Sequence, residues 1–146
     1  MVRRRRIVER PPPPWPLLVL DSGGLSACAE NHEKARAALS MCESAGTPVL
    51  LPSVIIAEST RATARDAMVN RIIAGVTVVA IDHDIAREAA ALKNKARMSG
   101  VEHTIDAIVV AVARLAGGGA ILTSDPKDIA ALADQCPDLR IRTLIV

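Results

Sequence analysis

The chain has 146 residues, half of them hydrophobic, and a formal net charge of +2 at neutral pH. That length suits one domain with a sizeable core, and with one Trp and no Phe or Tyr the core must be packed from Leu, Ile, Val and Ala. Apolar runs are too short to span a bilayer, and the scattered Cys28, Cys42 and Cys136, without a C-x-x-C pair, suggest neither a disulfide framework nor a zinc site.

The charge is uneven. Residues 1–10 hold five Arg and one Glu, or +4, which leaves −2 for the remainder. Arg3 to Arg6 imitate the start of a signal peptide, but Glu9, Arg10 and the prolines at 11–14 stand where an apolar stretch belongs. A cytoplasmic protein is therefore expected. The four prolines make a stiff spacer that enters neither a helix nor a central strand. Residues 1–15 read as a basic, Pro-rich, flexible leader, either a solubilising tail or an attractor of RNA phosphates. Residues 16–146 read as the folded domain.

Beyond the leader, short apolar runs alternate with helical patterns. Residues 17–20 form a continuous apolar run, as in a strand buried on both faces. Residues 32–45 read as a helix with Ala35, Leu39 and Cys42 on one face, stopped by Gly46. Residues 48–51 are a second strand, and residues 54–74 are helical with a break near 60–63. The β-branched run 76–81 is a third strand. Residues 84–98 and 104–116 are helices, the second stopped by the glycines at 117–119. Residues 120–123 are a fourth strand and 126–133 a short helix. The charge-interrupted segment 140–146 is a last strand at a sheet edge. Gly23 and Gly24 read as turn glycines. Such alternation predicts an α/β domain with a parallel sheet and helices on both faces, in which ligands bind beyond the carboxyl ends of the strands.

Four acids stand out by position. Asp21, Glu58 and Asp125 are each the first charge after a long uncharged stretch, and Asp106 is the one charge at the start of an otherwise apolar helix. Acids are rarely buried unless paired or metal-bound. Each has an ordinary structural reading: Asp21 capping a turn, Asp125 capping the helix that begins at Pro126, Asp106 favouring a helix start, and Glu58 paired with Arg61 or Arg65. Their coincidence at one edge of one sheet argues for more. Converging carboxylates repel one another unless a cation lies between them. All-oxygen ligation favours Mg²⁺ or Mn²⁺, ions that meet phosphate substrates. No glycine loop ending in Lys-Ser/Thr, no G-x-S-x-G and no H-E-x-x-H offers a competing chemistry.

In that order, the segments LLVLDSGGL (17–25), LPSVIIAEST (51–60), HTIDAIVVAVA (103–113) and ILTSDPKDIAAL (121–132) resemble the four signature blocks of PIN domains, with VapC-type toxins of bacterial type II toxin–antitoxin pairs as the nearest likeness. The resemblance implies a three-layer α/β/α sandwich around a central, mainly parallel five-stranded sheet. It implies an acidic pocket of Asp21, Glu58, Asp106 and Asp125 holding one or two Mg²⁺ or Mn²⁺ ions, and endonucleolytic hydrolysis of RNA. It also implies a homodimer silenced by a cognate antitoxin.

On this reading Asp21 and Asp106 are the principal metal ligands. Glu58 ligates the metal or positions a water, and Asp125 completes a second position or binds through water. Ser22, Ser124 and Asp128 orient carboxylates or a phosphate. His103, three residues before Asp106, is a candidate for a minor role. The turn after Asp21 departs from the family pattern, reading Ser-Gly-Gly. Without Phe or Tyr platforms, RNA contact must rest on Arg and Lys at phosphates. Two alternatives stand beside this reading: a silent PIN-like binding module, and a phosphoacceptor domain using Asp82.

Overall fold

The computed structural model describes residues 11–146, and the leader's first ten residues lie outside that range. The chain runs β1 (Leu18–Leu20), α1 (Ser22–Ala29), α2 (Glu33–Ala45), β2 (Val49–Pro52), α3 (Ser53–Ser59), α4 (Asp66–Ala74), β3 (Thr77–Val79) and α5 (His83–Lys95). A single 3₁₀ turn at Val101–His103 leads into α6 (Thr104–Leu115), followed by β4 (Gly119–Thr123), α7 (Pro126–Ala133) and β5 (Ile141–Ile145).

The strands form one sheet in the order β3-β2-β1-β4-β5, with every neighbouring pair parallel. Helices α1 to α4 pack together on one face, and α5, α6 and α7 on the other. This is the expected three-layer sandwich. The strand order reverses between β1 and β4, where Leu20 stands opposite Leu122. At such a reversal the connections leave toward opposite faces, which opens a crevice beyond the strand ends.

The central strands are short and fully buried. Leu18, Val19, Leu20, Ala120 and Ile121 have no exposed surface and Leu122 is 1% exposed, which explains why both segments read as continuous apolar runs. Helix α6 lies between the sheet and α5 and α7, so Ala107 and the run from Val109 to Ala113 are all buried. A helix enclosed in this way is apolar nearly all round, and a lone carboxylate on it stands out for that reason. The Arg114–Glu88 ion pair, at 2.9 Å, ties α6 to α5. All three cysteines are free and buried, and Trp15 packs on the edge of the core. Among the described residues no helix is long and apolar enough to cross a membrane.

Three local features differ from the sequence reading. Gly23 and Gly24 are not in a turn but in the first turn of α1, a helix the pattern did not suggest. Glycine disfavours a helix interior, yet here its missing side chain lets α1 approach the end of β4. A Cβ on Gly24 would run into the Leu122 carbonyl oxygen, and one on Gly23 into the Ser124 side chain. The β-branched run at 76–81 shrinks to the three residues of β3, a largely exposed edge strand. The break in the helical stretch after β2 widens to residues 60–65, separating α3 from α4.

Candidate active site

Asp21 follows β1 directly. Its backbone is extended (φ −88°, ψ −174°) and it caps α1, its Oδ1 accepting a 2.7 Å hydrogen bond from the Gly24 N–H. The residue is only 6% exposed. Asp125 lies two residues beyond the end of β4, the neighbouring strand across the reversal. It occupies the cap position of α7 with Pro126 at the first helical position, yet its side chain makes no capping hydrogen bond. The carboxylate is thus left exposed toward solvent. Glu58 sits on α3, which leaves β2 on the other side of β1, and is exposed. Asp106 lies in the first turn of α6 and is half-buried. Lys93 steadies that helix start by donating to the Thr104 hydroxyl at 2.8 Å.

Asp21 and Asp106 each lie within electrostatic reach of the other three acids. Burial is the main force raising the Asp21 carboxyl above its ordinary value, opposed by hydrogen bonds from the Thr123 side chain and the Gly24 N–H, and reinforced by the charges of Glu58 and Asp125. Asp106 is pushed up to about 6, first by burial and then by the charges of Asp21, Asp128, Asp125 and Glu58. Such mutual repulsion near the strand ends marks a place where a cation would be stabilised.

Asp128 lies one turn into α7 and is half-buried. His103 Nδ1 approaches its Oδ2 at 3.3 Å, without the alignment of a hydrogen bond. His103 therefore touches the acid cluster through Asp128, while its other nitrogen lies 3.5 Å from Glu102. Ser22 and Ser124 face each other's elements across a cleft of about 430 Å³ that also reaches Glu58. Asp82 stands apart from the acids: it caps α5, accepting from the Ile85 N–H at 2.9 Å.

Thr123 was not singled out by sequence. It is fully buried at the end of β4, its Oγ1 accepting from the Asp125 N–H at 3.0 Å while its side chain hydrogen-bonds Asp21. One hydroxyl thus links the Asp21 carboxylate to the Asp125 backbone N–H across the strand reversal. The available signal was a polar residue closing an otherwise apolar strand, which is common enough in a strand end to pass unnoticed.

The donor set is all carboxylate and hydroxyl oxygen, which suits a hard divalent cation and no soft one. Among the described residues no three His, Cys, Asp or Glu side chains close around a common point. The cluster is an open acidic rim, and Mg²⁺ suits such a rim because it keeps several of its waters while binding one or two carboxylates.

A family model for the PIN domain matches residues 18–134. The fold is similar to VapBC2 from Rickettsia felis bound to a DNA fragment from their promoter, with a TM-score of 0.64, 10% identity, and 88% of this chain and 98% of that one covered. It is similar to FitAB bound to an IR36 DNA fragment, with a TM-score of 0.60, 18% identity, and coverage of 87% and 94%. FitAcB from Neisseria gonorrhoeae gives a TM-score of 0.58, 18% identity, and coverage of 86% and 96%. A sequence search among curated proteins finds no match. At such identities the structural likeness speaks for the fold, whereas the family match spans most of the chain and contains Asp21, Glu58, Asp106 and Asp125: the chain belongs to the PIN domain family.

Proposed function

We propose that this protein is a metal-dependent endoribonuclease that hydrolyses RNA phosphodiester bonds, and that it is the toxin of a type II toxin–antitoxin pair. The observation that supports the reading is that carboxylates from four separate segments stand near enough, by the strand reversal, to act on the Asp21 and Asp106 carboxyls. Asp21 also caps α1, but the Glu58, Asp106 and Asp125 carboxylates make no hydrogen bond or ion pair among the described residues that would explain three further acids there.

Asp21 and Asp106 would hold the principal Mg²⁺ or Mn²⁺ ion, with Asp125 at a second position or acting through water. A divalent ion bound there would neutralise charge on the scissile phosphate and make a bound water more acidic. The chain's own residues do the rest. The Gly24 N–H and the Thr123 side chain fix Asp21. Glu58, exposed on α3, orients the attacking water. Ser22 and Ser124 line the adjoining cleft and orient carboxylates or the strand's phosphate, and Asp128, with His103 beside it, adds negative charge near Asp106 that strengthens the attraction for a cation.

The likeness to VapBC2 and FitAB supports a cognate antitoxin as partner, and a homodimer is what the resemblance to VapC-type toxins implies. A basic leader at residues 1–15 would add attraction to RNA phosphates. One alternative has an observation in its favour: the open spacing of the acids suits a silent PIN-like binding module.

Purified, partner-free protein incubated with a mixed RNA pool separates the two readings. Metal-dependent cleavage that EDTA stops, and that Asp21→Asn and Asp106→Asn both lose, is the expected result. No cleavage by folded protein that also takes up no Mn²⁺ in calorimetry would leave the binding module.

A further inference from the structure

The segment joining α3 to α4 is more tightly built than a connection needs to be. The Asp66 carboxylate, at the start of α4, accepts from the Arg61 N–H at 3.1 and 3.2 Å and from the Ala62 N–H at 2.8 Å. Ala62 is held at φ +54°, a left-handed conformation that a residue with a Cβ adopts only under constraint. Thr60 closes the other side, its hydroxyl donating to the Ile56 carbonyl at 2.7 Å. The segment follows Glu58 immediately and fixes where the Arg61 side chain starts.

Arg61 is exposed at the edge of the 430 Å³ cleft that also reaches Glu58, Ser22, Ser26 and Ser124. Among the described residues its guanidinium makes no ion pair and no hydrogen bond. The neighbouring Arg65 differs: it is occupied by Glu30 at 3.5 Å and by the Ser26 hydroxyl at 2.6 Å. An acidic rim repels a polyanion, so affinity for one must come from cations beside the rim. Arg61 is a free cation of this kind, three residues from Glu58 and held on a constrained turn.

We propose that the cleft is a subsite for one unpaired ribonucleotide next to the bond to be cut, and that Arg61 binds its phosphate. This rests on the nuclease reading for the position of the bond, though not for the binding itself. The cleft volume lies within the range that takes a small organic ligand, and it is far too small for a duplex. A nucleotide seated in it has its base out of any duplex, so the subsite calls for a single strand, as in most sequence-selective RNA recognition. Its walls offer the Ser22, Ser26 and Ser124 hydroxyls for the polar edges of a base and one ring, the His32 imidazole, for stacking. Arg61 is a positioning residue in this account: it sets the strand's register against Glu58 and leaves the chemistry to the acids.

The test is anisotropy with a fluorescent single-stranded RNA of mixed sequence, using the full chain carrying Asp106→Asn to suppress cleavage. Adding Arg61→Ala is expected to weaken binding roughly tenfold and to lower the salt slope by about 0.7, the loss of one phosphate contact on a single strand. Arg61→Lys is expected to keep most of the affinity, and Arg87→Ala, on the exposed side of α5, to change nothing. A duplex of the same sequence is expected to bind more weakly. In otherwise unaltered protein, Arg61→Ala is expected to raise KM far more than it lowers kcat. Unchanged affinity and slope in a folded Arg61→Ala protein, equal binding of the duplex, or no binding of single-stranded RNA would each overturn the subsite. Arg61-dependent binding without any cleavage by the unaltered chain would sink the nuclease reading and leave the subsite standing. Cleavage with Arg61-independent binding would do the reverse.

Discussion

Replacing Asp106 with Asn should make the metal-free protein more stable at neutral pH, although the same change should abolish activity. The carboxyl is pushed up to about 6 from its ordinary 3.8, mainly by burial and then by Asp21, Asp128, Asp125 and Glu58. In the pH window between those values the folded chain holds a proton that the unfolded chain has released. The stability this proton brings is fully present below pH 3.8 and is lost as pH rises through about 6. A separation of roughly two pKa units at 1.36 kcal/mol each is about 3 kcal/mol of strain in the ionised apo protein. Asn removes that strain but forfeits a favourable charge in the first turn of α6, worth about 0.3–1 kcal/mol, and the half-exposed position screens part of the remainder.

A net gain of about 1–2 kcal/mol is therefore expected, which corresponds to a rise in Tm of roughly 3–8 °C for a chain of this size. The assay is thermal unfolding in EDTA at pH 7.5 and again at pH 4, with each protein also scanned in Mn²⁺. The gap should shrink at pH 4, where the folded chain keeps the Asp106 proton and the unfolded chain is itself about half protonated. With Mn²⁺ near a hundred times its Kd the original chain should gain about 2.7 kcal/mol and the Asn variant much less, reversing their order. An Asn variant no more stable than the original in EDTA at pH 7.5, or a gap independent of pH, would refute the argument that charge is concentrated at this rim.

Thr123→Val removes the hydroxyl that links Asp21 to the Asp125 N–H and should lower RNA cleavage about 10- to 100-fold with little change in fold, while Thr123→Ser should retain most of it. Gly24→Ala drives a Cβ into the Leu122 carbonyl oxygen and should destabilise by about 1–3 kcal/mol in urea unfolding. Gly75→Ala, at negative φ with its nearest new contact at 3.6 Å, should stay within about 0.5 kcal/mol of the original. Ile121→Ala, at a position with no exposed surface in β4, should cost about 2–5 kcal/mol.

Much of the fold was legible because its periodicities are local. Continuous apolar runs identify β1 and β4 since both are buried on two faces, and Gly46 marks the end of α2 because its left-handed conformation (φ +67°) suits glycine. The acids were legible for a related reason: in a chain with so few charges near its strand ends, Asp21 and Asp125 interrupt apolar runs where a charge needs a cause. Helix α1 was not legible. Its first turn carries two glycines, and what makes it helical is the Asp21 cap together with a backbone approach to Leu122 and Ser124 from far along the chain. Local propensity holds no record of such an approach.

The sequence alone thus decided the alternation of strands and helices and the aliphatic core, and it singled out the four candidate acids, since these depend on side-chain type and spacing within a few residues. Only the tertiary structure decided that β1 and β4 are neighbours at the reversal, that Thr123 joins the Asp21 carboxylate to the Asp125 backbone, and that Arg61 stands unpaired among the described residues at the adjoining cleft. Each of those facts depends on segments tens of residues apart meeting in space, and that meeting is set by the packing of the whole sheet and its two helical layers.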